Sequence, residues 1–197
     1  FMQQAKQIGK VVVSFEDAPR PAIQATASYL ITGGLGDLGL QMAQQLAAEG
    51  AKHLVLTGRR ATVPETAQPM LAALAEAGVA VHVVQADVAE RVDVERAVAA
   101  CMEIAPLRGI IHAAGVLDDG LLAQQSVERF TRVLRPKVDG AWHLHTLTQE
   151  GETAETLDFF VCFSSASSML GAAGQSNYAA ANAFMDTLMQ QRAAAGL

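Results

Sequence analysis

The chain has 197 residues, 51% hydrophobic and only 5% aromatic, with a formal net charge of −6. That length suits one domain with a sizeable core, and an acidic balance without a basic stripe argues against a nucleic-acid partner. No apolar stretch approaches the roughly 20 residues of a membrane span, and no signal peptide is visible. Cys101 and Cys162 lie far apart without metal-ligand spacing, which points to a reducing, cytoplasmic compartment.

Residues 1–15 end in a strand-like run, Gly9-Lys10-Val11-Val12-Val13-Ser14-Phe15, and Glu16-Asp17-Ala18-Pro19-Arg20-Pro21 reads as a linker. A leading segment, 1–25, is thereby set apart from the body, 26–197. From Ser28 onward strands and helices alternate. Strands are expected at Ser28–Thr32, His53–Thr57, Ala80–Gln85, Gly109–His112 and Asp158–Ser164. Helices are expected at Leu38–Glu49, Pro69–Ala77, Val92–Met102, Val127–Thr148 and Ser176–Ala195, the fourth preceded by a shorter turn. Gly50 and Gly78 stand where helix C-termini favour a left-handed residue. This alternation predicts an α/β fold: a Rossmann-type, doubly wound parallel sheet with helices on both faces. The third to fifth strands are nearly all apolar and are expected to be covered on both sides. The chain stops just after the last helix, so the C-terminal edge of the sheet is expected to be truncated.

The turn after the first strand carries the strongest signal. Tyr29-Leu30-Ile31-Thr32 runs into Gly33-Gly34-Leu35-Gly36-Asp37-Leu38-Gly39, the layout of a dinucleotide-binding loop. Gly33, Gly34 and Gly36 are expected to take conformations a Cβ would forbid, letting the backbone approach a pyrophosphate. The helix beginning near Leu38 would aim free N–H groups and a positive dipole end at that anion. Asp37 is the one unfavourable charge in the loop. After the second strand come Gly58-Arg59-Arg60 rather than the carboxylate that would hold the ribose hydroxyls of NAD. A guanidinium suits a 2′-phosphate, so NADPH is favoured over NADH, against the plainer reading of two arginines solvating a loop. Asp87-Val88 could hold the adenine amino group, and Asp87 reads nearly as well as a cap or turn former. His112-Ala113-Ala114-Gly115 closes the fourth strand with small residues against which a nicotinamide ribose could lie.

On the catalytic side, Tyr178 and Asn182 are four apart in a helical pattern and share a face. Ser165 ends the fifth strand and Lys137 sits in the long helix after the fourth. All should open at the carboxyl edge of the sheet, where doubly wound folds bind ligands. Together they suit carbonyl reduction. A tyrosine phenol titrates near ~10 in water, and a nearby ammonium and an oxidised nicotinamide would lower that value. A serine hydroxyl can hold a carbonyl oxygen as charge builds on it, and Asn182 can hold a water that relays protons. Each residue alone has an ordinary reading: packing for the Tyr, turn capping for Ser164 and Ser165, a solvated charge for the Lys. It is their conjunction with the glycine loop that carries weight.

The set Thr32-Gly33-Gly34-Leu35-Gly36, His112-Ala113-Ala114-Gly115, Leu117-Asp118-Asp119, Lys137-Val138-Asp139-Gly140 and Gly174-Gln175-Ser176-Asn177-Tyr178-Ala179-Ala180-Ala181-Asn182 resembles the ketoreductase domain of modular polyketide synthases. That is a branch of the short-chain dehydrogenase/reductase superfamily, and the resemblance covers roughly residues 26 to 197. Most of that superfamily carries Lys four residues after the Tyr. Asn182 stands there in this chain, with Lys137 upstream, an exchange that looks like the polyketide and fatty acid synthase branch. The resemblance implies Tyr178 as proton donor, Ser165 on the ketone oxygen, and Lys137 and Asn182 in support. It implies a β-ketoacyl thioester on the phosphopantetheine arm of an acyl carrier protein, reduced with NADPH to a β-hydroxyacyl thioester. Leu117-Asp118-Asp119, with Asn177 before the Tyr, looks like the subtype that usually yields the D (3R) alcohol. Ala173 departs from the proline commonly found there, and Leu170 is not the Trp of the opposite subtype; a solvated loop is the simpler reading of Asp118-Asp119. Ala5-Lys6-Gln7-Ile8-Gly9-Lys10-Val11-Val12 looks like the end of an enoylreductase domain, which makes 1–25 its tail and linker and neighbouring synthase domains the expected partners. The family's N-terminal structural subdomain and C-terminal lid have no counterpart in this sequence. A catalytically silent or epimerising domain on the same fold is the alternative, disfavoured because the cofactor loop and the Tyr, Lys and Ser are all present.

Overall fold

The computed structural model describes residues 22–60, 62–149 and 157–197; the strand-like run and linker expected within residues 1–21 lie outside the described residues. Strands β1 (Ser28–Thr32), β2 (His53–Gly58), β3 (Ala80–Gln85), β4 (Leu107–His112) and β5 (Phe159–Cys162) form one sheet in the order β3-β2-β1-β4-β5. Every neighbouring pair is parallel. The order reverses between β1 and β4, which opens a crevice at their carboxyl ends. The described α-helices are α1 (Asp37–Ala48), α2 (Gln68–Glu76), α3 (Arg91–Ile104), α4 (Val127–Leu147), α5 (Ser167–Leu170) and α6 (Ser176–Ala194), with a 3-10 turn at Glu65–Ala67 leading into α2.

Side chains alternate across the central strands and fill two separate cores. Tyr29, Ile31, Leu54 and Leu56 pack with Leu40 and Leu46 of α1 and Leu74 of α2. Leu30, Val55 and Ile110 point to the other face and pack with Val94, Ala97 and Val98 of α3 and Leu144 of α4. Each fully buried Leu or Ile contributes on the order of 2 kcal/mol by transfer from water. The expected α/β fold with helices on both faces is therefore the observed one. Gly50 and Gly78 take positive φ, 112° and 74°, just past α1 and α2 as expected.

The expectation that the third to fifth strands are covered on both sides holds for β4 alone. All its residues but the half-buried Arg108 are buried, whereas every position of β3 is exposed or half-buried and Val161 of β5 is 40% exposed. The reason is position: β3 and β5 are the edge strands of the described sheet, and an apolar composition does not distinguish centre from edge. Strand β5 is also shorter than expected. Phe163 still donates to the His112 carbonyl at 3.0 Å, but the chain then turns into the unexpected short helix α5. The turn before α4 is a single 3-10 turn, Leu122–Gln124.

Candidate active site

Three adjoining cavities run along the carboxyl ends of the strands. One lies between Arg59, Asp87 and Ala114; the next is bordered by Gly33, Leu35 and Gly36; the third holds Leu38, Lys137 and Tyr178. The first two share Gly33, Gly58, Arg59 and Ala114, and the last two share Ala113 and Gly115, so they form one trough.

Its floor is built by backbone approach. Gly33 has φ +66°, and a Cβ there would stand 2.9 Å from Ala114 backbone atoms. Gly34 has no room either, since its Cβ would meet the Ile31 carbonyl at 2.8 Å. Gly36 differs from the expectation: as N-cap of α1 it has φ −87° and ψ 167°, ordinary extended backbone that any residue adopts. Asp37 is exposed in the first turn of α1, an acid in a favourable helical position.

Behind the floor lies a buried pair. Thr32 Oγ1 is 2.6 Å from His112 Nδ1, joining the ends of β1 and β4. His112 is only 1% exposed, and burial, reinforced by the Lys137 ammonium, pushes its imidazole down to about 3. A neutral, enclosed His112 does not reach the trough, nor do the buried Thr32, Gly34 and Gly39. These four residues of the expected cofactor set support the floor. Leu35, Gly36, Leu38, Arg59, Arg60, Asp87, Val88, Ala113, Ala114 and Gly115 border the trough with Gly33.

Arg59 and Arg60 are exposed, and among the described residues neither guanidinium has a carboxylate partner. Arg132 and Arg135, which also border the trough, are paired with Asp118 and Glu90. The Asp87 carboxylate accepts the Ala89 amide at 3.0 Å, the cap reading of that residue, while it still borders the trough.

At the other end, Lys137 is 4% exposed. Its Nζ donates to the Phe163 carbonyl at 3.0 Å and lies 5.1 Å from the centre of the Tyr178 ring. Burial pulls the ammonium down to about 8, against the opposing influence of Cys162 and Asp186. Lys137, Tyr178, Ser164 and Leu117 border one cavity. Ser165 stands beside it: its Oγ accepts from the Ser167 amide at 3.2 Å and the Ser167 hydroxyl at 3.0 Å. The amide bond is fixed in direction, whereas either hydroxyl of the Ser165–Ser167 pair can donate, so Ser165 can turn its proton toward a ligand. Asn182 is fully buried; its Nδ2 donates to the Tyr178 carbonyl at 2.8 Å, and its Oδ1 has no partner among the described residues.

The segment Leu117-Asp118-Asp119 does not present its acids to the cavity. Asp118 is held by Arg129 and Arg132, and Asp119 accepts from Gln175 at 2.8 Å. Only Leu117 borders the cavity. Asn177, expected to orient substrate, is fully buried instead: it donates to the Asp118 carbonyl and accepts from the Tyr178 amide. Sequence reasoning missed Ser167, Arg129 and the Thr32–His112 pair. Arg129 and Arg132 do recur on one face of a helix, but separations of 11 and 14 residues from Asp118 give no register to read. Among the described residues no cluster of His, Cys, Asp or Glu could hold a metal, and no helix is long and apolar enough to cross a membrane.

A parallel sheet with this crossover, a glycine loop at its reversal and a Tyr–Lys pair at the end of the trough define an oxidoreductase of short-chain dehydrogenase type. A family model for the KR domain matches residues 27–197. Over 199 aligned residues the chain is 45% identical to the spectinabilin polyketide synthase system protein NorB of Streptomyces orinoci, covering 100% of this chain and 9% of that protein. It is 46% identical to the phenolphthiocerol synthesis polyketide synthase type I Pks15/1 of Mycobacterium marinum, again covering 100% and 9%. A solved structure described as "Structure of A-type Ketoreductases from Modular Polyketide Synthase" superposes with a TM-score of 0.85 at 38% identity, covering 95% of this chain and 38% of that one. The chain belongs to the ketoreductase domain family of polyketide synthases, and it spans about a tenth of the length of these two relatives.

Proposed function

We propose that this domain reduces a β-ketoacyl thioester, carried on the phosphopantetheine arm of an acyl carrier protein, to a β-hydroxyacyl thioester with NADPH. The observation that carries the reading is the Lys137 ammonium 5.1 Å from the Tyr178 ring, in a cavity continuous with the glycine-floored trough. The trough suits the cofactor: Gly33 leaves open the space a side chain would fill, and Arg59 and Arg60, whose guanidiniums have no carboxylate partner among the described residues, suit a 2′-phosphate. NADPH, when bound, supplies the hydrogen and electron pair that the β-carbon takes up.

The chain's own groups handle the oxygen. Ser165, oriented by Ser167, donates its proton to the ketone oxygen as charge accumulates there. Tyr178 delivers the proton that completes the hydroxyl. The Lys137 charge favours the phenolate left behind, and its bond to the Phe163 carbonyl keeps the ammonium beside the ring. Asn182 accepts from a water on the return path of the proton, a role supported by its Oδ1, which has no partner among the described residues. The D (3R) alcohol is the product that Leu117-Asp118-Asp119 implies; this handedness rests on the loop rather than on the scaffold match. A preceding enoylreductase ending within residues 1–25, other synthase domains as neighbours and a cytoplasmic location belong to the same reading.

The test is reduction of a β-ketoacyl thioester surrogate by the full chain, followed by nicotinamide absorbance with NADPH and with NADH. Turnover with NADPH that disappears in Tyr178→Phe supports the proposal. Tight NADPH binding without turnover overturns it in favour of a silent or epimerising domain.

A further inference from the structure

The loop from Leu117 to Gln125 borders the catalytic cavity yet has little apolar anchorage of its own. Leu117, Leu121 and Leu122 are 62%, 65% and 79% exposed. Polar bonds therefore decide where this loop sits, and one side chain, Arg129, supplies three of them. Arg129, in the first turn of α4, donates from Nε to Asp118 Oδ1 at 2.8 Å and places Nη2 2.6 Å from the same oxygen. Its Nη2 also donates to the Asp119 carbonyl, and its Nη1 to the Gln124 carbonyl at 3.2 Å. One planar guanidinium thus straps three loop residues. Gly120 lets it pass: a Cβ there would stand 2.5 to 2.9 Å from the guanidinium atoms. Its own helix holds it in turn, since Ser126 caps α4 by accepting the Arg129 amide at 3.3 Å.

The far side of the loop is tied to the catalytic helix. The Gly120 amide donates to the Gly174 carbonyl at 2.8 Å, Gln175 donates to Asp119, and Asn177 joins the Asp118 carbonyl to the Tyr178 amide. A shift of the loop is felt at the residue beside the reacting phenol. The only member of Leu117-Asp118-Asp119 that faces the cavity is Leu117, so its acids act by holding the loop and its leucine by shaping the space over Tyr178.

Building on the ketoreductase reading, we propose that Arg129 is the positioning residue that sets Leu117 over the Tyr178 cavity and thereby the face of the ketone presented for reduction. A lysine keeps the charge but not the fork that makes these bonds together.

The test compares wild type, Arg129→Gln, Arg129→Lys and Gly120→Ala in the full chain, with amide hydrogen exchange, steady-state kinetics and the ratio of alcohol enantiomers as readouts. In Arg129→Gln, exchange in residues 117–125 should rise by about tenfold or more while Ser28–Thr32 stays protected. The kcat/KM should fall by roughly 10- to 10²-fold, the cost of misplaced substrate, and the enantiomer ratio should move toward unity, with NADPH affinity unchanged. Arg129→Lys should recover only part of this, and Gly120→Ala should reproduce it more mildly without removing any charge, which also covers the case of an Arg129→Gln chain that fails to fold. Unchanged exchange and ratio in Arg129→Gln, or full recovery by lysine, would overturn the proposal; raised exchange with an unchanged ratio would overturn its specificity half. If the wild-type chain binds NADPH and reduces no thioester, the ketoreductase reading fails, and the exchange data alone still decide whether Arg129 holds the loop.

Discussion

The two ends of the trough are made by different means. At the Gly33 end the surface is backbone: strand ends in register, a left-handed glycine, and an Ala114 main chain that tolerates no Cβ opposite it. At the Tyr178 end it is side chains from distant segments: Lys137 on the Phe163 carbonyl, Asn177 between Asp118 and Tyr178, Arg129 across three loop residues. A surface built from main chain fits what every substrate cycle shares, the cofactor. A surface built from side chains can be altered one residue at a time without disturbing the sheet. Damage to the first end should therefore appear in cofactor binding and folding together, and damage to the second in rate, pH dependence and product.

The sharpest break is Tyr178→Phe. Reduction should fall by about 10²- to 10⁴-fold, the usual weight of a positioned general acid, while NADPH titration stays normal. Retained activity would remove Tyr178 from the mechanism.

Lys137 separates the ends next. Its ammonium is held down to about 8, so it loses its charge across the upper physiological range. The reduction rate should drop with a midpoint near pH 8, and Lys137→Met should lower the plateau and abolish that limb. Stability should move the opposite way. Between the folded value of about 8 and the ordinary 10.5, the unfolded chain binds more protons than the fold, so stability rises with pH. Parallel pH–rate and denaturation profiles check both signs.

At the backbone end, Gly33→Ala should raise the cofactor Kd and lower the melting temperature together. A non-glycine residue at φ +66° costs about 1–2 kcal/mol, and the Cβ also intrudes on Ala114. An effect on kcat alone would contradict the division of labour. Arg59→Ala should weaken NADPH about tenfold more than NADH, the scale of one lost charge-assisted contact; an equal loss for both cofactors would sink the 2′-phosphate assignment.

A last effect, on stability and not on catalysis, concerns the buried seam between the two ends. The His112 imidazole titrates near 3 in the fold and near 6.5 when unfolded. The stability it confers is fully present above pH 6.5 and is lost as pH falls toward 3, because only the unfolded chain takes up the proton. Denaturant titrations at pH 7 and pH 4.5 should show a slope with pH that is shallower in His112→Gln.

What was legible in the sequence was whatever repeats with a short period or sits in one continuous stretch. Alternating apolar runs and their glycine stops placed five parallel strands and the main helices within a few residues, because those signals arise from contacts a few residues apart. Glycines crowded between a strand and a helix announced the floor of the trough, and the exchange of Lys137 with Asn182 pointed to the family. Three things needed the folded chain. Which apolar strands lie at the edges depends on strand order, so β3 and β5 read as buried and are half exposed. Which loop glycine is conformationally obligatory depends on what lies opposite, so Gly33 is and Gly36 is not. Which polar residues face the trough depends on pairings across many residues: His112 turns inward to Thr32, Asn177 bridges a loop and a helix, and Asp118 is taken up by Arg129 and Arg132. Residue types and local spacing reveal what chemistry is available; only long-range packing decides which of those groups remain free to perform it.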